Sequence, residues 1–162
     1  MSESNFTLTQ TDLHNFFDYK DGVLYWKISK KCVNKGGIAG HVDYSRPYVR
    51  ITINRQKHLA HRLIYMMFHG SMPKIIDHIN GNKYDNRIEN LRAATASENN
   101  YNTKPKNKIK NVSFYKRTGK WQVQIRYDKK VLHFGYFCDL ELAELVAIEA
   151  RNKYHGKFAR HN

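Results

Sequence analysis

The chain has 162 residues, of which 41% are hydrophobic and 13% aromatic, enough apolar material for one packed domain or two small ones. Its 28 Lys and Arg outnumber 14 Asp and Glu for a formal charge of +14, so the surface attracts polyanions. The longest apolar run, Leu63 to Phe68, is far too short to span a bilayer, and no long basic amphipathic helix is present to bind one. Cys32 and Cys138 stand far apart, which excludes zinc-knuckle spacing and gives no disulfide framework. Met1-Ser2-Glu3-Ser4-Asn5-Phe6 lacks the charged-then-apolar order of a secretion signal, so the expected location is the cytoplasm.

In chain order, Thr9 or Thr11 caps a predicted helix carrying Leu13, Phe16 and Phe17, with Asp12 near its start. Asp21-Gly22 turns the chain into a strand from Val23 to Ile28. A basic loop comes next, with Lys30, Lys31, Lys35 and Gly36-Gly37. Alternation from Tyr48 to Ile53 puts Tyr48, Arg50 and Thr52 on one strand face and Val49, Ile51 and Ile53 on the other. Asn54 to Lys57 reads as a hairpin turn, and Arg62 to His69 as a short helix stopped by Gly70. These first 70 residues form a small sheet with helices, a scaffold that buttresses the segment from Ile75 onward.

The most informative stretch runs from Ile75 to Asn102. A β-branched pair, Ile75-Ile76, delivers Asp77-His78, and Asn80-Gly81-Asn82 forces a turn. Arg87-Ile88 and Asn90-Leu91-Arg92 lie along the returning segment. Thr95 and Glu98 have the spacing of a capping box, which starts a helix near Ala96 with Asn99 in its first turn or so. Residues 101–110 are basic, poor in apolar side chains and broken by Pro105, and read as a linker suited to a phosphate backbone.

From Asn111 a second unit begins. Trp121 to Tyr127 alternates, burying Trp121, Val123, Ile125 and Tyr127 and turning Gln122, Gln124 and Arg126 outward. Asp128-Lys129-Lys130 turns into a strand from Val131 to Phe134. Asp139 caps a helix from Leu140 to Tyr154 that sets Leu142, Val146, Ala150 and Tyr154 near one face, with Ala143 and Ala147 beside them, before Gly156. Lys116, Arg117 and Lys120 add charge beside the outward strand face.

These residues carry two resemblances. Asp77-His78, Asn80-Gly81, Asn90-Leu91 and the capped Asn99 helix resemble the HNH nucleases, whose β-β-α metal finger has this order and spacing. In phage-type members a segment like Ala60-His61-Arg62-Leu63 precedes the finger, and His61 reads as structural. Gly119-Lys120-Trp121, Ile125-Arg126, Phe134-Gly135-Tyr136-Phe137 and Lys153-Tyr154-His155-Gly156 resemble the plant ethylene-response-factor (APETALA two) DNA-binding domain. In that family a three-stranded sheet on one helix lies in the major groove. Gln124 stands here where a Glu is frequent, and His133 where Trp is frequent, so no target sequence carries over.

Together the resemblances imply an α+β chain. A ββα-metal finger at about 72–103 sits within an HNH nuclease domain, 1–100, that has an N-terminal small sheet. A basic linker, 101–110, leads to a three-stranded antiparallel sheet packed on one helix, 111–162. The HNH resemblance implies Asp77 and Asn99, or its neighbour Asn100, as ligands of one Mg²⁺ or Mn²⁺. It implies His78 as the general base, and Asn90, with Asn86 second, as the residue holding the finger loop and histidine. Arg87 and Arg92 are candidates for the scissile phosphate. Lys116, Arg117, Lys120, Gln122, Gln124 and Arg126 are candidates for DNA contact, Gln being able to pair with adenine and Arg with guanine.

The expected partner is double-stranded DNA, cut by a homing-type endonuclease of phage or mobile-element origin. With one finger per chain it acts as a nicking monomer or a double-strand-cutting homodimer. The alternative is a non-catalytic, sequence-specific DNA-binding regulator. An RNA-binding or structural basic protein leaves Asp77, His78 and Asn99 unexplained, as the regulator does.

Overall fold

The computed structural model describes residues 8–29, 33–43, 47–104 and 109–161. They belong to two compact units, 1–93 and 94–162. Cys32, Lys30, Lys31 and most of the segment around Pro105 lie outside the described residues. No described helix is long and apolar enough to cross a membrane.

The first unit opens with α1, Gln10–Phe16, capped by Thr9 in a reciprocal box with Asp12. The helix ends one residue earlier than its apolar pattern suggests. Phe17 is extended and begins β1, Phe17–Lys20, which pairs antiparallel with β2, Val23–Trp26. Tertiary packing explains the switch: Phe17 is fully buried against Trp26, with ring centroids 4.5 Å apart. Asp21 and Gly22 both adopt positive φ, the geometry a two-residue hairpin requires.

A three-stranded meander comes next, in the order β3, His41–Asp43; β4, Tyr48–Ile53; and β5, Gln56–Leu59. Ile51 and Ile53 are buried, as their alternation requires. The chain then enters α2, Ala60–His69, two residues ahead of the expected start, and leaves it at Gly70 in the left-handed region. Leu63, Ile64 and Met67 of α2 join Leu13, Phe17, Leu24, Ile51 and Ile53 in one core. Each such aliphatic or aromatic side chain contributes about 1.5–3 kcal/mol. Ile76 and Leu91 complete this core from β6, Ile75–His78, and β7, Leu91–Ala94, which pair with each other.

The second unit contains α3, Ala96–Tyr101, capped as its sequence suggests: Thr95 Oγ1 accepts from Glu98 N–H, and Glu98 accepts from Thr95 N–H. The ring of Tyr101 stacks on His155 at 3.9 Å and 3°. Lys110, counted with the linker, turns inward: its ammonium donates to the carbonyls of Tyr101 and Thr103 at 2.5 and 2.7 Å. Burial and the neighbouring Arg151 and Arg160 push its pKa down to about 8.

Strands β8, Val112–Tyr115; β9, Lys120–Tyr127; and β10, Lys130–Phe137, form an antiparallel sheet in the order β10-β9-β8. The third strand is thus longer than its apolar run. Helix α4, Leu140–His155, is capped by Asp139 and packs across the sheet.

The buried face of α4 is narrower than the pattern implies. Ala143, Ala147, Ala150, Arg151 and His155 face inward, whereas Leu142 is 50% exposed. Small residues let the helix lie close to Val112 and Val123, which leaves the flanking leucines outside. Tyr127 is likewise 41% exposed rather than core, its ring meeting Tyr154 edge-on. The chain is therefore a mixed helix and strand protein with small antiparallel sheets.

Candidate active site and nucleic-acid face

Strand β6 brings two ionisable side chains into the protein interior. Asp77 and His78 are 6% and 5% exposed, and successive residues of a strand face opposite ways. Asp77 is held by the first residues of β7: Arg92 Nε and Nη2 both reach Asp77 Oδ2, at 2.8 and 2.7 Å. Such a charge-assisted pair fixes the carboxylate's orientation in a region where an uncompensated charge would be costly.

The ring of His78 is held from three sides. Its Nε2 lies 3.1 Å from the side-chain oxygen of Asn86, which is itself buried. With the amide oxygen facing it, Nε2 is assigned as the donor of this pair. The ring of His61, in the first turn of α2, meets it edge-on at 5.0 Å. Tyr48 on β4 lies 5.2 Å from His61 and 6.3 Å from His78, and the Lys83 ammonium sits 5.0 Å over the Tyr48 ring. Burial lowers the pKa of His78, against the upward pull of Asn86, Asp77 and Asp85. His61 is pushed down to about 3 by burial and by the charges of His78 and Arg62. Both imidazoles are therefore neutral at pH 7.

The asparagines divide the labour expected of one. Asn90, in a 3₁₀ turn from Ile88 to Asn90, accepts from Asn80 N–H at 2.9 Å. It donates to Asn80 Oδ1 at 3.1 Å and to the Asp85 carbonyl at 2.7 Å. Asn90 thus closes the loop after His78, while Asn86 holds the ring. Arg87 is bound to the carboxylate of Asp85 through Nε and Nη2, both at 2.8 Å. That pairing holds the Asp85 pKa down at about 2. Both arginines considered for a phosphate, Arg87 and Arg92, are engaged with carboxylates in this structure.

The β1–β2 hairpin buttresses the segment carrying Asn86. Ile88 N–H donates to the Tyr19 hydroxyl at 3.0 Å. A Cβ at Gly22 would fall 2.7 Å from Arg87 N and 2.9 Å from the Asn86 carbonyl carbon, so only glycine permits this approach. Neither Tyr48, His61, Tyr19 nor Gly22 carries a local signal of these roles. Their importance comes from packing across elements, although Asp21-Gly22 is legible as a turn.

In the second unit, Asn99 lies in α3, where its backbone N–H donates to Thr95. On the sheet, Gln122, Gln124 and Arg126 alternate along β9 with the buried Val123 and Ile125. Lys116, Arg117 and Lys120 are exposed around the β8–β9 turn. Arg126 and Lys129 also line a cleft of about 780 Å³ with Tyr101, Lys110 and His155. Among the described residues no group of three or more His, Cys, Asp or Glu is arranged to hold a metal ion.

The Asp77–His78 segment falls within a family match. Residues 58–101 match the family model described as HNH endonuclease. The chain is similar to Protein 3.8 of Escherichia phage T7, 33% identical over 108 residues that cover 62% of this chain and 87% of that protein. It is also similar to an uncharacterized HNH endonuclease, L247, of Acanthamoeba polyphaga mimivirus, 45% identical over 51 residues. That match covers 29% of this chain and 13% of the viral protein. No solved structure matches.

Proposed function

The chain belongs to the family of phage T7 Protein 3.8 and carries an HNH endonuclease segment at residues 58–101, and from that premise we propose that it is a metal-dependent DNA endonuclease of the homing type. The observation that carries the reading is the state of His78. It lies within the matched segment, buried, with burial lowering its pKa and its Nε2 3.1 Å from the side-chain oxygen of Asn86.

A neutral ring held in a fixed orientation suits a general base. In this reading the His78 imidazole takes the proton of the attacking water, a contribution of about 10²–10⁴-fold. Asn86 sets the tautomer, and the rings of His61 and Tyr48 keep the imidazole from rotating. Asn90 holds the loop after it. Arg92 aims the Asp77 carboxylate.

The HNH resemblance implies a hard cation held by oxygen donors, with Asp77 offering a carboxylate and Asn99 an amide oxygen. When bound, a Mg²⁺ or Mn²⁺ would stabilise negative charge on the phosphate and on the departing oxygen.

The second unit supplies site reading. In support, its three antiparallel strands pack on one helix, with Gln122, Gln124 and Arg126 on one face and Lys116, Arg117 and Lys120 beside it. The test is cleavage of supercoiled plasmid with added Mg²⁺ or Mn²⁺. Relaxed or linear product from the wild type, lost in EDTA and in His78→Ala while DNA binding persists, is the expected result. Tight binding without cleavage on a varied DNA panel would instead identify a DNA-binding regulator.

A further inference from the structure

The outward face of the second unit's sheet contains one side chain whose hydrogen-bonding capacity is already half used. In the register of β9 and β10, Tyr136 stands opposite Gln122 and His133 opposite Gln124, and the pairing shifts between His133 and Gly135. That bulge depends on Gly135, whose φ of +123° lies in the region that favours glycine. It turns the Gly135 N–H back onto Nδ1 of His133, at 3.1 Å.

A backbone N–H only donates, so Nδ1 of His133 is the acceptor and the proton of the neutral ring is on Nε2. That second nitrogen faces the Gln122 amide end at 2.9 Å, and the Tyr136 hydroxyl faces the same amide atom at 3.2 Å. Placing Nε2 of Gln122 there would set N–H against N–H. The amide is therefore turned with Oε1 toward the ring and the hydroxyl, accepting from both. Its NH₂ group then points away from them, and Gln122 offers only donors to anything that lies on the sheet.

We propose that Gln122 is a base-reading residue restricted to donation. It selects guanine, whose major-groove edge shows two acceptors, N7 and O6, over adenine, which shows one acceptor and one donor. The usual pairing of glutamine with adenine needs the amide oxygen, which His133 and Tyr136 occupy. This inference rests on the reading of the sheet as the DNA-contacting face.

The experiment is selection of bound sequences from a randomised duplex library by the full-length protein in EDTA. It compares wild type with Gln122→Ala, His133→Ala/Tyr136→Phe and Arg126→Ala. The wild type should show one position with guanine over adenine by about fivefold to tenfold. Gln122→Ala should flatten that position to within about twofold and leave the others. Freeing the amide oxygen in His133→Ala/Tyr136→Phe should turn the same position toward adenine. Matching circular-dichroism spectra and melting temperatures of all variants show that they are folded. Retention of guanine in the double variant, or an unchanged profile in Gln122→Ala while Arg126→Ala alters it, overturns this inference alone. A profile that no sheet variant alters, or no enriched sequence at all, overturns the sheet-reading premise with it.

Discussion

His78 and His61 share one aromatic box but face different demands. As the proposed base, His78 needs a neutral ring in a fixed orientation, and Asn86 constrains it through a 3.1 Å contact with Nε2. Asn86→Ala should therefore lower cleavage by about 10–100-fold, less than His78→Ala, without an equal loss of DNA affinity; single-turnover rates beside binding curves test this. If affinity fell in parallel, Asn86 would be holding the fold rather than the ring. His61 is different: it is buried neutral, with its pKa pushed from 6.5 down to about 3. The unfolded chain takes up this proton near pH 6.5 and the folded protein only near 3. The stability His61 contributes is thus complete above pH 6.5 and is lost as pH falls through that window, by up to about 1.4 kcal/mol per pH unit. Urea unfolding of His61→Gln across this range should show a slope shallower by about one proton, and an unchanged slope would refute the assignment.

Among the elements, the segment between β6 and β7 leans on the N-terminal hairpin. Gly22→Ala meets two obstacles, a backbone at φ +84° and a Cβ 2.7 Å from Arg87 N. The positive φ alone costs about 1–3 kcal/mol. The variant should be destabilised by at least that amount, and its cleavage rate should fall because Asn86 moves with Arg87; thermal melts and plasmid nicking measure the two effects. Local signals were the legible part of this architecture. Capping at Thr9, Thr95 and Asp139 involves side chains within three residues of their partners; Thr95 and Asp139 are found where the sequence puts them, and the structure decides between Thr9 and Thr11 in favour of Thr9. The fold's non-local choices were not legible. Asn86 and Asn90 are chemically identical, and which one meets the histidine is decided by the hairpin packed beside them. Leu142 is more apolar than Ala143, yet the close seat of α4 on its sheet admits only the alanine.

For the whole molecule, charge dominates. A chain at +14 that tracks duplex phosphates should lose affinity steeply with salt, each neutralised phosphate adding about −0.9 to the log–log slope. Lys116→Ala/Arg117→Ala should make the slope shallower by up to about two and weaken all sequences alike. Fluorescence anisotropy over a salt series measures both, and an unaltered slope would remove those residues from the interface. Arg126→Ala should instead relax site preference more than it slows chemistry, which competition between the selected site and a scrambled one resolves.

The contact at Gly22 and the hydroxyl of Tyr19 also bear on modularity. The segment that matches the nuclease family begins at residue 58, whereas these supports lie well upstream of it. The recognisable motif and the transplantable part are therefore different lengths of chain. A chimera that borrows only residues 58–101 would carry the histidine without the wall that aims it. One that also takes the chain from Thr9 onward keeps both.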